Sequence, residues 1–265
     1  MRISCVQMDM RLGDAAYNFA HAEALVRAAA EREHPDVVVL PETWNTGFFP
    51  QDLTASADHD GRQTRRVFSA LARELDVNIV AGSVADLRDG ACYNTAYVFD
   101  RSGTEIASYD KTHAFTPMGE HQSFTQGERL CRFSMEGRDC GLIICYDIRF
   151  PELTRTLALQ GIDLLFVVSQ WPDKRIVHLD TLSRARAIEN QMFLALCNSC
   201  GAAGDTRYGG HSALIDPWGT YLAQAGEGEE ILSGDLDFSV IEGIRSSINV
   251  FRDRRPTLYH CGEEA

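Results

Sequence analysis

Short apolar runs alternate along the chain with longer stretches in which apolar residues recur every three or four positions. The short runs are rich in Val, Ile, Leu and Phe, which is typical of buried strands, and the longer stretches have the spacing of amphipathic helices. Because strands and helices alternate, the pattern predicts an α/β fold. The predicted strands are residues 3–8, 37–40, 78–83, 94–99, 141–145, 164–169, 192–198, 212–215 and 231–235. The predicted helices are residues 17–32, 62–75, 151–160 and 177–190.

A hairpin signal lies in the middle of the chain. The segment between strands 78–83 and 94–99 contains Asp89-Gly90, a dipeptide typical of tight hairpin turns. An antiparallel hairpin beside strand–helix–strand units predicts a mixed sheet. No linker rich in Pro, Gly or Ser and no repeat of fixed period divides the chain, so we expect one domain over residues 1–265. We expect irregular structure after Asp237.

The composition is that of a globular protein with an acidic surface. Hydrophobic residues make up 45% of the 265 positions, charged residues make up 24%, and the net charge is −13. An acidic surface repels phosphate backbones and anionic lipid headgroups, so we expect neither a nucleic acid nor a membrane as partner. No apolar run approaches the ~20 residues of a membrane helix, and no export signal is visible, which predicts a cytoplasmic protein.

The eight cysteines are scattered, and we expect reduced thiols rather than a disulfide framework. Cys197 and Cys200 form a C-x-x-C, for which a thiol redox function is an alternative. No second pair stands at zinc spacing, so we expect no metal site. The cysteines are Cys5, Cys92, Cys131, Cys140, Cys145, Cys197, Cys200 and Cys261.

The most informative segment is residues 141–152, an apolar strand that ends at Cys145, a short polar turn, and a helix that begins at Pro151. Open α/β sheets bind their ligands at the carboxyl ends of strands. A thiol at this position can attack a carbonyl carbon, and the backbone N–H of Tyr146 can serve as an oxyanion donor. The alternative is an inert core cysteine, because free cysteine is among the most buried residue types.

Two further ionisable residues follow predicted strands. Glu42 follows the apolar run 37–40, and a desolvated glutamate at such a position has a raised pKa and can act as a general base. Lys111 follows the strand region 95–107, and an ammonium beside a thiol favours the thiolate and stabilises an oxyanion. A solvated turn glutamate and a surface lysine are the alternatives, so the chemistry depends on both residues meeting Cys145 in space.

Three motifs in this order and spacing resemble those of the nitrilase superfamily of carbon–nitrogen hydrolases. The motifs are Leu40-Pro41-Glu42, Tyr109-Asp110-Lys111 and residues 145–152. The resemblance implies an αββα four-layer sandwich with mixed sheets, a homodimer or larger assembly, and no metal or organic cofactor. It also implies a site made of the nucleophile Cys145, the general base Glu42, the oxyanion stabiliser Lys111, the lysine-positioning Glu120 and the backbone N–H of Tyr146.

The segment that follows Cys145, with its Arg-Phe-Pro-Glu ending, is similar to that of the omega-amidase branch. Enzymes of that branch release ammonia from the terminal amide of 2-oxoglutaramate or 2-oxosuccinamate through a thioester. Such substrates carry a free carboxylate, so we expect a pocket cation, and a planar guanidinium binds a carboxylate with two hydrogen bonds. The candidates for substrate binding are Arg175 as the cation and Trp171, Trp44 and Phe48 as pocket walls.

Other functions on the same fold stay open. The substrate could be a nitrile, an N-carbamoyl amine or an amide that resembles deaminated glutathione. An alternative of another class is a non-catalytic metabolite-binding protein. The presence of all four catalytic residue types that the resemblance implies argues against it. Asp147 and Arg149 are expected to fix the turn after Cys145 through an ion pair with a neighbour such as Glu152.

Overall fold

The computed structural model describes residues 1–259, so Cys261 and the end of the predicted domain lie outside the described residues. The strands are β1 Arg2–Gln7, β2 Val37–Val39, β3 Asp58–His59, β4 Asn78–Arg88, β5 Ala91–Phe99, β6 Glu105–Asp110, β7 Cys131–Met135, β8 Arg138–Ile144, β9 Leu164–Ser169, β10 Phe193–Asn198, β11 Ala202–Ala203, β12 Thr206–Arg207, β13 Ala213–Ile215, β14 Tyr221–Gln224 and β15 Glu230–Asp235. The α-helices are α1 Ala15–Glu33, α2 Leu53–Ser56, α3 Arg62–Leu75, α4 Glu120–Ser123, α5 Pro151–Leu159, α6 Ile176–Asn190 and α7 Val240–Ser247. Short 3-10 helices cover Thr116–Met118, Cys145–Arg149, Asp173–Arg175 and Pro256–Leu258.

Seven strands form the first sheet, in the order β15-β1-β2-β4-β5-β6 with β3 paired to β4. Strands β1, β2 and β4 run parallel, whereas β15 pairs antiparallel with β1, and β5 and β6 continue antiparallel from β4. Helices α1 and α3 cover the outer face, where Phe19 and Phe68 are buried in one apolar cluster with Val38 and Ile79. This cluster is the first of the two main cores.

The hairpin between β4 and β5 turns through Asp89 and Gly90, whose φ angles are 51° and 82°. A two-residue turn with positive φ at both positions is of type I′, and its twist matches that of the flanking strands. The predicted hairpin is therefore confirmed, and it accounts for the change from parallel to antiparallel pairing in this sheet.

Six strands form the second sheet, in the order β14-β13-β10-β9-β8-β7, with β8, β9 and β10 parallel and the outer strands antiparallel. Leu157 of α5 and Leu179 of α6 are buried against this sheet. Ile3 and Val39 of the first sheet belong to the same apolar cluster, so the two sheets pack face to face. The layers therefore follow the order helix, sheet, sheet, helix, and the predicted αββα sandwich with mixed sheets is confirmed.

Each predicted strand and helix overlaps an observed one, but two expectations about the chain differ from the structure. The segment after Asp237 is irregular only in part, because it contains α7, whose Ile241 and Ile244 are buried. The edge strands β7 and β14 are not predicted by the pattern, since short half-exposed strands contain no continuous apolar run. Within residues 1–259, none of the helices combines the length and the apolar character that a membrane span requires.

Candidate active site

Four strand ends bring ionisable and polar side chains to one edge of the two sheets. Glu42 follows β2 and Lys111 follows β6, both in the first sheet, whereas Cys145 follows β8 and Gln170 follows β9 in the second sheet. Lys111, Cys145 and Gln170 line a pocket whose free space is ≈ 440 Å³ including its open side. The site is thus assembled from both sheets.

Cys145 opens a 3-10 turn with a φ angle of 46°, a value that residues other than glycine rarely adopt. The fully buried carboxylate of Asp147 holds this turn. It accepts hydrogen bonds from the backbone N–H of Ile144 at 3.0 Å, the hydroxyl of Tyr109 at 2.8 Å and the backbone N–H of His113 at 3.0 Å. A strained backbone persists only where its surroundings fix it, and these donors supply that constraint.

Lys111 joins two buried carboxylates. Its Nζ donates to Oε1 of Glu42 at 2.8 Å and to Oε1 and Oε2 of Glu120 at 2.8 and 2.9 Å. The three side chains are between 0% and 3% exposed. The second oxygen of Glu42 accepts the backbone N–H of Gln170 at 2.8 Å, so this carboxylate is held by groups from both sheets.

Burial and charge shift the pKa values of these groups in defined directions. Burial raises the pKa of Glu42 and the charge of Glu120 adds to the rise, while the ammonium of Lys111 opposes it. Burial lowers the pKa of Lys111, but the charges of Glu42 and Glu120 outweigh burial and raise it, so the ammonium is retained. Burial raises the pKa of Cys145, and the charge of Glu42 raises it further against the opposing effect of Lys111. The thiol therefore needs a base to become a nucleophile.

The pocket walls carry six aromatic side chains and two arginines. Phe48 and Trp171 line the pocket, as does Arg175. Arg149 also lines it, with its guanidinium carbon 4.7 Å from the ring centre of Trp171. Burial lowers the pKa of Arg149, and the positive charge of Arg175 contributes to that fall. Further lining residues are Phe49, Phe115, Met118, Glu120, Tyr146, Pro172 and Tyr208.

The backbone N–H of Tyr146 lies in the first turn of the 3-10 helix that begins at Cys145. Backbone N–H groups in the first turn of a helix have no acceptor within the helix. Tyr146 lines the pocket, and the use of its N–H as an oxyanion donor stays a prediction.

The prediction that Trp44 forms a wall of the pocket is wrong. Trp44 does not line the pocket: it is fully buried under the outer helices, packs edge-on against Phe19 and Phe68, and donates its indole N–H to the carbonyl of Ala81 at 2.8 Å. The physical reason is the positive φ of 39° at Thr43, which turns the chain away from the pocket directly after Glu42.

Asp147 fixes the turn after Cys145 as expected, but its partners differ from the expected ones. Its oxygens are bound by Tyr109, Thr112 and His113, and no ion pair between Arg149 and Glu152 is present among residues 1–259. Arg149 faces the pocket rather than the turn. Arg149 lies between β8 and α5, at the carboxyl end of a strand. This position could have indicated a place in the pocket, since side chains at the carboxyl end of a strand reach the ligand site.

The C-x-x-C motif lies away from the pocket walls. The thiol of Cys197 donates to the carbonyls of Val6 and Val39 at 3.3 Å each, between the sheets, and Cys200 contacts the carbonyl of Gln7 at 3.9 Å. The seven cysteines that the structure describes are free thiols. The described part of the chain contains no group of three His, Cys, Asp or Glu side chains that could hold a metal ion.

Known proteins resemble this chain in sequence and in fold. A sequence profile of the carbon–nitrogen hydrolase family matches residues 2–246. The 2-oxoglutaramate amidase of Bacillus subtilis (strain 168) is 41% identical over 97% of this chain and 98% of that protein. The omega-amidase NIT2 of Pongo abelii is 32% identical over 91% of this chain and 90% of that protein. Saccharomyces cerevisiae Nit3, a member of branch 10 of the nitrilase superfamily, superposes with a TM-score of 0.87 at 29% identity over 96% of each chain. The resemblance of the three motifs is thus confirmed, and the chain belongs to the carbon–nitrogen hydrolase family as a hydrolase of the nitrilase superfamily.

Proposed function

We propose that the protein is an amidase that hydrolyses the terminal carboxamide of small 2-oxo acid amides, such as 2-oxoglutaramate and 2-oxosuccinamate. The observation that carries the proposal is one small pocket lined by a thiol, an ammonium, a carboxylate and two arginines among apolar walls, with the buried carboxylate of Glu42 bound to that ammonium. The names of two relatives, 2-oxoglutaramate amidase and omega-amidase, agree with this substrate class.

In the proposed acylation step, Glu42 takes the thiol proton and Cys145 attacks the carboxamide carbon. The carbonyl oxygen becomes an oxyanion, which Lys111 and the backbone N–H of Tyr146 stabilise. Each such donor typically contributes ~10²–10³ in rate. The intermediate collapses as its C–N bond breaks, and Glu42 returns its proton to the nitrogen, which leaves as ammonia. The acyl group is then held on Cys145 as a thioester.

In the proposed deacylation step, Glu42 removes a proton from a water molecule, which attacks the thioester carbon. The same two donors stabilise the second oxyanion, and the C–S bond breaks to release the carboxylic acid. The sulfur leaves as a thiolate and recovers a proton from Glu42, so the cycle balances without a cofactor. Glu120 accepts two contacts from Lys111 and keeps its ammonium in position throughout.

The two arginines account for the proposed substrate class. A carboxylate that leaves water for an apolar pocket needs a charged partner, and Arg175 or Arg149 can bind it with paired hydrogen bonds. Glu120 is the one acidic side chain among the pocket-lining residues, and Lys111 neutralises it. An ammonium group on the substrate would therefore lie near Arg149 and Arg175, and the pocket wall offers it no acidic side chain except Glu120, which is already bound to Lys111. This favours a 2-oxo acid amide over its 2-amino analogue, glutamine.

A substrate panel with a covalent readout tests the proposal. We expect rapid ammonia release from 2-oxoglutaramate, slow release from glutamine, and an acyl adduct on the Cys145 peptide after acid quench and mass spectrometry. Cys145→Ala should abolish both signals, whereas Cys140→Ala removes a buried thiol on the same sheet and should retain them. Ammonia release that persists in Cys145→Ala would overturn the mechanism. Faster turnover of a nitrile, an N-carbamoyl amine or a deaminated-glutathione amide would overturn the substrate class.

We also propose that the protein acts as a homodimer, as the family resemblance implies. Light scattering should then give twice the 29.5 kDa mass of the chain, and a single-chain mass would contradict this. The cytoplasmic location stays a prediction.

A further inference from the structure

The side-chain amide of Asn94, on β5, lies between the two carboxylates that bind Lys111. Its Nδ2 donates to Oε1 of Glu42 at 2.9 Å and to Oε1 of Glu120 at 3.4 Å. The carbonyl of Asn94 accepts the backbone N–H of Lys111 at 2.9 Å. A single residue, 1% exposed, therefore contacts all three charged members of the site through its side chain or backbone.

The orientation of this amide is fixed by charge. The opposite orientation would direct the Oδ1 of Asn94 at two carboxylates, which offer no donor when they are ionised. In the observed orientation Oδ1 is buried and has no hydrogen-bond partner among residues 1–259. A buried acceptor without a partner is unfavourable, so the contacts of Nδ2 must outweigh this loss.

The charges of the site explain why a neutral donor is needed there. Two carboxylates share one ammonium, which leaves one negative charge without a counterion in a buried space. A hydrogen bond to a carboxylate favours its ionised form without adding charge. The ionisable groups that face Glu42 are Lys111, Glu120, Cys145 and Tyr208.

We propose that Asn94 is a positioning residue that holds the carboxylates of Glu42 and Glu120 beside Lys111 and keeps Glu42 ionised, ready to take the thiol proton. The inference rests on the proposed role of Glu42 as the base. It assigns to Asn94 no contact with the substrate. Loss of the amide should therefore change the pH at which the base works and leave substrate affinity unchanged.

The pH dependence of Cys145 alkylation by iodoacetamide tests this inference without any amide substrate. Alkylation requires loss of the thiol proton, so its rate should rise with pH as Glu42 ionises. In Asn94→Ala this rising limb of the rate profile should move to a pH about one unit higher. At a given pH below the limb, alkylation should then be roughly tenfold slower than in the wild type. Peptide mapping assigns the modification to Cys145. An unchanged limb would overturn the inference.

Two further variants keep the test decisive. Asn94→Asp preserves the shape but replaces the donor with a third acid, so its limb should move upward at least as far. If Asn94→Ala does not fold, an unchanged limb in Asn94→Asp overturns the inference by itself. Asn78→Ala is the matched control, because Asn78 is also buried and donates to a carboxylate, that of Glu136 at 2.7 Å, outside the pocket lining. Its limb should match the wild type.

Steady-state kinetics separate a positioning role from general damage. Asn94→Ala should lower kcat and shift its acid limb while KM for 2-oxoglutaramate stays within about twofold. A rise in KM with an unshifted limb would refute the positioning role. If Glu42→Gln leaves the alkylation profile unchanged, the assigned base is wrong instead, and the two failures can be told apart.

Discussion

Removal of the ammonium between two buried carboxylates should make the stability of the protein depend on pH. In Lys111→Met the side chain keeps its length and apolar stem but loses the charge that opposes the raised pKa of Glu42. Burial and the charge of Glu120 then act on Glu42 without that opposition, and its pKa rises further. The folded variant must either bury two negative charges without a counterion or take up a proton.

The magnitude follows from proton linkage. Glutamates buried without a partner reach pKa values of about 8, compared with about 4.3 in the unfolded chain. A carboxyl with this raised folded-state pKa binds its proton more tightly when folded, so stability falls as pH rises from about 4.3 to about 8. Each pH unit between the unfolded and the folded pKa of a group changes the free energy of unfolding by about 1.36 kcal/mol, so a carboxyl of this kind loses up to about 4 kcal/mol of stability between pH 5 and pH 8. The loss specific to the variant should thus grow by up to about 4 kcal/mol over this range.

The sign differs for the wild-type lysine. The raised pKa of Lys111 contributes stability that is fully present below its unfolded value of about 10.4, so this contribution is constant between pH 5 and pH 8. If the stability loss of Lys111→Met grows between pH 5 and pH 8, the growth is therefore caused by the buried carboxyl groups that Lys111 contacts.

Urea unfolding at pH 5 and pH 8, at one protein concentration, measures the effect. Lys174→Met is the matched control, because Lys174 is the other lysine of the chain and is exposed. The control should be equal to the wild type at both pH values within about 0.5 kcal/mol. A free-energy loss in Lys111→Met that is the same at pH 5 and pH 8 would refute the reasoning. Activity should be lost at both pH values, since an oxyanion donor is removed.

Three other predictions concern the same site. The wild-type kcat/KM should fall at low pH with an apparent pKa above the usual value of Glu, because burial and Glu120 raise the pKa of Glu42; a limb near pH 4 would contradict this. Arg175→Met or Arg149→Met should raise KM for 2-oxoglutaramate tenfold or more, since a charge-assisted hydrogen bond contributes about 1.5–3 kcal/mol, whereas equal KM values would exclude that arginine from carboxylate binding. Asp147→Asn should lower the thermal midpoint and slow Cys145 alkylation, because hydrogen bonds that fix the strained turn are lost; an unaltered alkylation rate would argue against this function of the turn.

The charged residues and the thiol of the site could be predicted from the sequence, because the ends of the strands can be located in it. Glu42 and Cys145 each follow an apolar run, Lys111 follows a strand region, and open α/β sheets bind their ligands at the carboxyl ends of strands. Strand ends alone left a solvated glutamate and a surface lysine open, and the resemblance to the nitrilase motifs implied that the three residues meet. The structure brings them together, with Glu120 as the second carboxylate on Lys111.

The pocket walls could not be predicted in the same way, because side-chain direction in irregular segments depends on individual φ angles. Trp44 and Phe48 belong to one loop, yet Trp44 turns into the first core after the positive φ of Thr43, while Phe48 reaches the pocket. Asn94 carries no signal in the sequence, because a polar residue in a strand usually faces solvent. Its role depends on which residues surround it in three dimensions.

The division of the site between two sheets determines when activity can appear during folding. Glu42 and Lys111 are carried by the first sheet and Cys145 by the second, and neither sheet alone holds a base beside a nucleophile. During refolding, secondary structure can therefore return before any activity does, and turnover counts only molecules whose sheets have docked. The recovery of activity therefore measures the packing of the two sheets against each other. A chain whose sheets have formed but have not packed together has no activity.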